Sequence, residues 1–318
     1  MSSDHADVVI VGGGPAGSSA AVFTARYGLD TLVFDRGNAA LERCGYLENY
    51  LGFPAGVEID TFQDLMVAHV HEAGAERREE LVESVTRAAD DSATDVESRF
   101  RVETQQGSKV ETGAVIAAAW YDGSYLRGLD EPSMFEEHEH HGELQERFDP
   151  DYADADGRTP IDGLYVASPS GARSAQAIVA AGNGGHVART LIEDRRRERG
   201  LSGEVAPEYD WVRPESEYSG EWADRERWAE WFDTEIDSEG LSDDRLAELR
   251  ETYVDRAFET RVTESEVEAK AARGRERLVE VVGPEALLDA MDEETITAYV
   301  DERDQRETRE GARTRRTR

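Results

Sequence analysis

The sequence predicts an α/β fold with a mainly parallel sheet and a small β-meander, followed by an acidic α-helical C-terminal region. Three observations predict it. An apolar strand, Val8 to Val11, runs directly into Gly12, Gly14 and Gly17 and then an Ala-rich helix. That strand–turn–helix order is what a nucleotide-binding βαβ unit requires. The stretch Ala114-Val115-Ile116-Ala117-Ala118-Ala119 is apolar throughout, as a strand covered on both faces must be. A second such strand, Gly163 to Ala167, precedes another Ala-rich helix, whereas the chain past Gly200 turns acidic and helical.

The elements follow in order. In the G-x-G-x-x-G turn, Gly12 permits the tight bend and Gly14 lets backbone approach a pyrophosphate. Gly17 lets helix and strand pack closely. The helix start adds unpaired N–H groups and a favourable dipole. The first helix spans about Gly17 to Tyr27, with Gly28 as its stop. The next strand, Thr31 to Phe34, ends at Asp35, about 18 residues past Gly17, close to the spacing of a ribose-binding acid. A turn-rich stretch from Gly37 to Gly56 leads into a helix over Ile59 to Gly74, whose apolar face is Phe62, Leu65, Met66, His69 and Val70. Strands are expected at Leu81–Ala88, Phe100–Thr104 and Val110–Ala119, with a hairpin turn at Gln106-Gly107. Residues 121–160 are polar and irregular and include Glu-Glu-His-Glu-His-His, which reads as a solvated loop. A helix from about Ser174 to Asp194 ends in Arg195, Arg196, Arg197 and Arg199, cations that complement its dipole.

Two domains are expected, residues 1–200 and 201–318. Four of the five tryptophans fall between Trp211 and Trp231, which reads as the core that docks the helical region. Thr263 and Glu266 form a capping box, and Gly283-Pro284 stops one helix and starts the next. The formal net charge is −34, with 70 acidic residues against 36 basic ones. Such an excess is self-repulsive in dilute buffer and screened in concentrated salt. A high-salt cytoplasm and a hydrated acidic surface are therefore expected, and nucleic acid is a poor partner. Cys44 is the single cysteine, so the sequence holds no C-x-x-C pair. No apolar run is long enough to span a membrane, and the early start of the fold argues against a cleaved leader.

Three stretches carry a resemblance. They are Val9-Ile10-Val11-Gly12-Gly13-Gly14-Pro15-Ala16-Gly17, then Leu47-Glu48-Asn49-Tyr50-Leu51-Gly52-Phe53-Pro54, and Gly163-Leu164-Tyr165-Val166-Ala167 followed by Gln176-Ala177-Ile178-Val179-Ala180-Ala181-Gly182. In order and separation they resemble the FAD-binding domain of the low-molecular-weight thioredoxin reductases. The resemblance implies FAD as cofactor. Gly12, Gly14, Pro15, Ala16 and Gly17 would line its pyrophosphate, Asp35 its ribose and Asn49 the ribityl–flavin region. Val85 would meet the adenine through its backbone, and Gln176 and Ala177 would open a helix aimed at the flavin ring. The chain departs from the family's pattern in three places. Ser168-Pro169 stands where the family has Gly-Asp, and Ala119-Trp120 where it has Thr-Gly. Residues 121–160 replace the pyridine-nucleotide domain together with its redox disulfide.

The resemblance implies an FAD-dependent oxidoreductase, similar to a thioredoxin reductase but unable to run its relay. Electrons would come from an unknown small-molecule substrate or a redox protein, and no acid–base residue can be assigned. The alternative is a noncatalytic FAD-binding structural or sensor protein. The glycine motif by itself also admits NAD or no ligand. A homodimer stays open. Cys44 as a redox thiol beside the flavin segment, and His138, His140 and His141 as metal ligands, are each weaker than a packing or surface role, whereas Trp120 would either stack on the flavin ring or block it.

Overall fold

The computed structural model describes residues 4–37, 40–88, 98–119, 123–129, 131–140, 143–149, 151–168 and 176–316. It divides into two compact units, Met1–Glu264 and Ser265–Arg318.

In the first unit a parallel sheet forms from β1 (Asp4–Val11), β2 (Thr31–Phe34), β3 (Glu76–Arg78), β6 (Lys109–Ala117) and β9 (Leu164–Val166). Its order is β3-β2-β1-β6, and β9 adds to the outer side of β6. β4 (Val82–Arg87) and β5 (Phe100–Thr104) join antiparallel as the meander. β6 serves both partners on one edge: residues 109–112 pair with β5, and residues 115–117 pair with β9. The strand before the glycine turn, β1, and the late strand β9 are not neighbours. They share one parallel sheet, but β6 lies between them and pairs with both.

The strands explain their own apolar runs. Val9, Val11, Val115, Ala117, Leu164 and Val166 enter one core; Val8, Ile10, Ala114, Ile116, Tyr165 and Ala167 enter the other. Alternate residues thus face opposite sides, as the strand period demands. The second core is covered by α1 (Pro15–Tyr27), α2 (Ile59–Glu72) and α3 (Ala177–Glu198). α1 and α3 touch at small residues; a side chain on Gly184 would run into the Ala16 backbone. α1 ends at Gly28 (φ 100°), whose N–H bonds the Ala25 carbonyl while Leu29 N–H bonds Thr24. Such a left-handed glycine satisfies carbonyls that the last turn leaves unpaired. On α2, Phe62 and Val70 are buried, but His69 is exposed rather than part of the apolar face.

Two further corrections concern strands with no apolar pattern. β3 reads Glu-Arg-Arg, and its pairing with β2 comes from backbone register alone. The Glu-Glu-His-Glu-His stretch is no irregular loop: β7 (Phe135–His140) and β8 (Glu143–Phe148) form an antiparallel ribbon. A ribbon outside the main sheet needs no buried face. Phe135 and Phe148, paired at its base with centroids 6.1 Å apart, join the core, and Glu136 pairs with Arg147 at 2.7 Å across the strands.

Residues 201–264 pack within the first unit. β10 (Arg213–Pro214) pairs with β11 (Arg261–Val262), and α4 (Arg225–Glu235) and α5 (Asp243–Glu259) flank a core of Val205, Phe232, Ile236 and Leu249. Trp222, Trp228 and Trp231 contact one another edge to face, and Trp231 lies against Tyr253. The Arg195–Arg199 cluster is more than a dipole complement. Arg196, 4% exposed, donates to the Ala206 carbonyl (2.7 Å), the Val205 carbonyl (2.8 Å) and Glu208 (2.7 Å). Arg195 donates to the Asp7 carbonyl at 2.7 Å. A bare pattern of arginines after a helix does not separate a solvated cluster from a buried hub, because the acceptors lie ten residues on.

The second unit is helical: α6 (Glu264–Val282), α7 (Pro284–Asp289) and α8 (Glu293–Arg316). Gly283 (φ 91°) and Pro284 separate α6 from α7 at the position the sequence indicates. No described helix is long and apolar enough to cross a membrane.

Candidate cofactor-binding site

At the C-terminal ends of β1, β2 and β6 the first unit opens a cleft of about 550 Å³. Open α/β sheets place ligands at this edge. Both α1 and α3 begin on the cleft: their N-caps are Gly14 and Gln176, and among the described residues neither cap has a side chain bonded to the helix start. Two uncapped N-termini on one cavity present unpaired donors and positive dipole ends to whatever enters.

The three motif glycines are held by different constraints. Gly12 adopts φ 109°, and a Cβ there would lie 2.7 Å from the Ala119 nitrogen. Gly17 abuts the Gly12 carbonyl, so any side chain would push α1 off the strand. A Cβ on Gly14 would meet no protein atom within 4 Å; its side faces the cleft. Gly13, not singled out in the motif, is constrained too, because its Cβ would lie 2.5 Å from Asp35 Oδ2.

Asp35 ends β2 on the cleft wall. Its Oδ1 accepts the Gly37 N–H at 3.2 Å, and its Oδ2 accepts from Arg77 of β3 at 3.0 Å. Arg77 is itself shared with Glu79, and both carboxylates hold its pKa above the ordinary value against the opposing effect of burial. Across the cleft, Asn49 Nδ2 donates to Gln176 Oε1 at 2.7 Å. This bond ties the loop over residues 47–57 to the start of α3. The loop is pinched shut by reciprocal Leu47–Val57 backbone bonds at 3.0 and 2.9 Å, and Tyr50, Phe53 and Phe62 stack beneath it.

Of the residues selected from the sequence, Gly12, Gly14, Pro15, Ala16, Asp35, Asn49, Gln176 and Ala177 line the cleft. Gly17 stands behind it as a packing position. Val85 is a correction. It is fully buried in β4, its carbonyl facing Gly128, and Glu80 and Leu81 just ahead of the strand border the cleft instead. The strand begins at Val82, so the chain has already passed the cavity when it reaches Val85. Cys44 is exposed and borders the cleft, as do Arg36 and Arg43, two cations that the glycine pattern gave no means of finding. Ala118 and Ala119 form its floor. Trp120, Pro169 and His141 lie outside the described residues, as do the side chains of His138 and His140. Ser168 is not among the cleft residues; its N–H donates to the Ala117 carbonyl at 3.2 Å. His186 is exposed and bonds Asp156 at 2.9 Å, which holds the Asp156 carboxyl below its ordinary pKa. No group of three metal-ligating side chains occurs among the described residues.

A glycine-turned βαβ unit, an acid ending the second strand and two helix starts on one cleft define a dinucleotide-binding α/β domain. Comparison with known proteins narrows the class. Residues 6–149 match the model of the pyridine nucleotide-disulphide oxidoreductase family. It is 34% identical over 123 residues to a bifunctional thioredoxin reductase/thioredoxin of Mycobacterium leprae, covering 38% of this chain and 25% of that one. It is 42% identical over 72 residues to a thioredoxin reductase of Aquifex aeolicus, covering 22% of each. The matched stretch thus spans about a quarter of these relatives' length. Among solved structures, a thioredoxin reductase from Gloeobacter violaceus aligns over 66% of this chain and all of that one, with 19% identity and a TM-score of 0.47.

The cofactor that the match indicates is FAD, and the residues present fit it. The pyrophosphate of such a group needs backbone donors and no intervening side chain. The open Gly14 position, the uncapped start of α1 and the neighbouring arginines supply that environment. Asp35 offers carboxylate oxygens for a ribose hydroxyl, and the second uncapped helix start, at Gln176 and Ala177, lies on the same cavity.

Proposed function

We propose that this chain is an FAD-dependent oxidoreductase that exchanges electrons with a small-molecule substrate or a separate redox protein. The observation that carries the reading is the convergence of Gly12–Gly14, Asp35 and the Asn49–Gln176 bridge on one cleft flanked by two free helix N-termini. When bound, FAD supplies the electron-transfer chemistry. The protein's share is to seat the phosphates on α1, to hold the ribose at Asp35 and to place positive potential from α3 near the redox-active ring.

Two features argue against the relay of a complete thioredoxin reductase. Between β6 and β9 the described residues form short 3₁₀ turns (Ser124–Leu129 and Pro132–Met134) and the β7–β8 ribbon. A second βαβ nucleotide fold needs about 30 residues per unit, arranged as strand, helix and strand. The sequence also holds one cysteine, Cys44, where a dithiol needs two. The competing reading, a noncatalytic FAD-binding protein, draws support from Ser168-Pro169, which stands where the resemblance has Gly-Asp.

An absorbance spectrum of the protein purified in concentrated KCl tests the proposal. Flavin bands near one per chain that bleach with a reducing substrate or protein support the oxidoreductase. Bands that no donor bleaches support the noncatalytic reading. Colourless protein that also fails to bind added FAD removes both.

A further inference from the structure

α3 carries a second recess, at the end opposite the cofactor cleft. It lies about 24 Å along the helix axis from Ala180, which borders the cleft, to Arg196, at the usual rise per residue. Its volume is about 90 Å³. The walls come from α3, the 207–218 segment, α4 and α5, with Trp211, Tyr218, Trp228 and Tyr253 supplying aromatic surface.

We propose that this recess binds a small, flat monocarboxylate. The charge inventory points there first. In a chain with 70 acidic residues, three arginines and one acid border this recess: Arg196, Arg213, Arg256 and Glu208. Glu208 is fully used, one oxygen accepting from Arg196 at 2.7 Å and the other from Arg256 at 2.6 Å. Arg213 is left over. Its guanidinium rests on the Trp211 ring, 5.0 Å from the centroid, and it has no acidic partner among the described residues.

The second leftover group is the Tyr253 hydroxyl, which has no hydrogen-bond partner among the described residues. The ring itself is packed between Trp231 and Phe232, 5.8 and 5.4 Å away. Burial pushes its pKa up to about 12 against the opposing charge of Arg196, so it remains a donor at neutral pH. The recess therefore offers the Arg213 guanidinium and the Tyr253 hydroxyl as donors, beside the Nη groups that Arg256 does not spend on Glu208, and its one carboxylate is already engaged. Two donors suit the two oxygens of a carboxylate. The indole and phenol walls suit a planar apolar body behind the carboxylate. Trp211 and Tyr209 stay 59% and 53% exposed at the mouth, so a ligand has a route in and apolar surface to cover.

Benzoate is the probe, and neutral benzamide its near-isosteric control, titrated into the full-length protein at fixed KCl by calorimetry and ligand-detected NMR. Saturable benzoate binding is expected, with benzamide at least about tenfold weaker because it lacks the charge that Arg213 answers. Arg213→Gln should weaken benzoate by about tenfold and leave benzamide within about twofold; Tyr253→Phe should weaken benzoate by roughly threefold. Thermal melts confirm that the variants fold. Should Arg213→Gln fail to fold, the benzoate-to-benzamide ratio in the unaltered protein decides alone. Absence of saturable benzoate binding, equal affinity for benzamide, or a folded Arg213→Gln protein that binds benzoate unchanged would each overturn the proposal.

Discussion

Gly14 and Gly17 stand three residues apart in one motif, yet they answer to different atoms. Gly17 abuts the Gly12 carbonyl, while the Gly14 side faces open cleft. Substitution separates the two roles. Gly17→Ala forces backbone apart and should cost about 1–3 kcal/mol of stability or more, visible as a lower urea midpoint with or without FAD. Gly14→Ala should cost no more than about 1 kcal/mol, the difference between glycine and alanine at a helix N-cap. It should nonetheless raise the FAD dissociation constant by about tenfold or more, because the new methyl enters phosphate space, a loss equivalent to about 1.4 kcal/mol. Fluorescence titration of the apoprotein reads the second effect. Equal loss of stability in both variants would refute the division. The glycines and Asp35 are legible because spacing and local context place them, whereas Asn49 is legible only through the family resemblance. Gly13's constraint, the Arg77–Asp35 pair and the cleft arginines are not: each depends on a neighbour brought in by a strand or loop whose own sequence says nothing about the cleft.

At the scale of elements, what could be read tracked burial. β1, β2, β6 and β9 announce themselves because two cores clad their inner stretches, such as Val8–Val11 and Ala114–Ala117, which must be apolar. β3 and the β7–β8 ribbon are built mostly of charged and polar residues, so no hydrophobic period marks them. The join between β9 and α3 shows a dependence that sequence hides altogether. Tyr165 on β9, 7% exposed, donates its hydroxyl to Asp194 of α3 at 2.9 Å, and Arg158 forks onto the same carboxylate at 2.8 and 2.9 Å. Burial first, then the Asp194 charge, raises the Tyr165 pKa far above its ordinary value. The unfolded chain then releases this proton at a lower pH than the folded one, so it binds fewer protons once pH exceeds about 10. The stabilising contribution of Tyr165 is therefore intact below pH 10 and drains away as pH climbs beyond it. In Tyr165→Phe this component should vanish. Urea midpoints at pH 8 and pH 11 should fall further for the unaltered protein than for the variant, and equal falls would show that the hydroxyl is not the titrating group.

For the molecule as a whole, net charge is the dominant electrostatic fact, and two effects of salt compete over it. Ion pairs such as Arg101–Glu111 and Lys109–Glu103, both at the surface, weaken as salt is added. Each contributes only about 0–1 kcal/mol to begin with. Repulsion among the unpaired members of 70 acidic side chains weakens as well, and the formal excess of 34 negative charges makes it the larger sum. Screening should therefore stabilise. The Debye length falls from about 10 Å at 0.1 M to about 3 Å at 1 M, so most of the gain should come below about 0.5 M KCl. The urea midpoint should therefore rise steeply over that range and flatten beyond it. Solvent exclusion by salt would instead give a gain that continues in proportion to concentration. A midpoint that falls on adding KCl would mean that the ion pairs outweigh the repulsion. The acidic surface would then need another explanation, such as a basic partner that neutralises it.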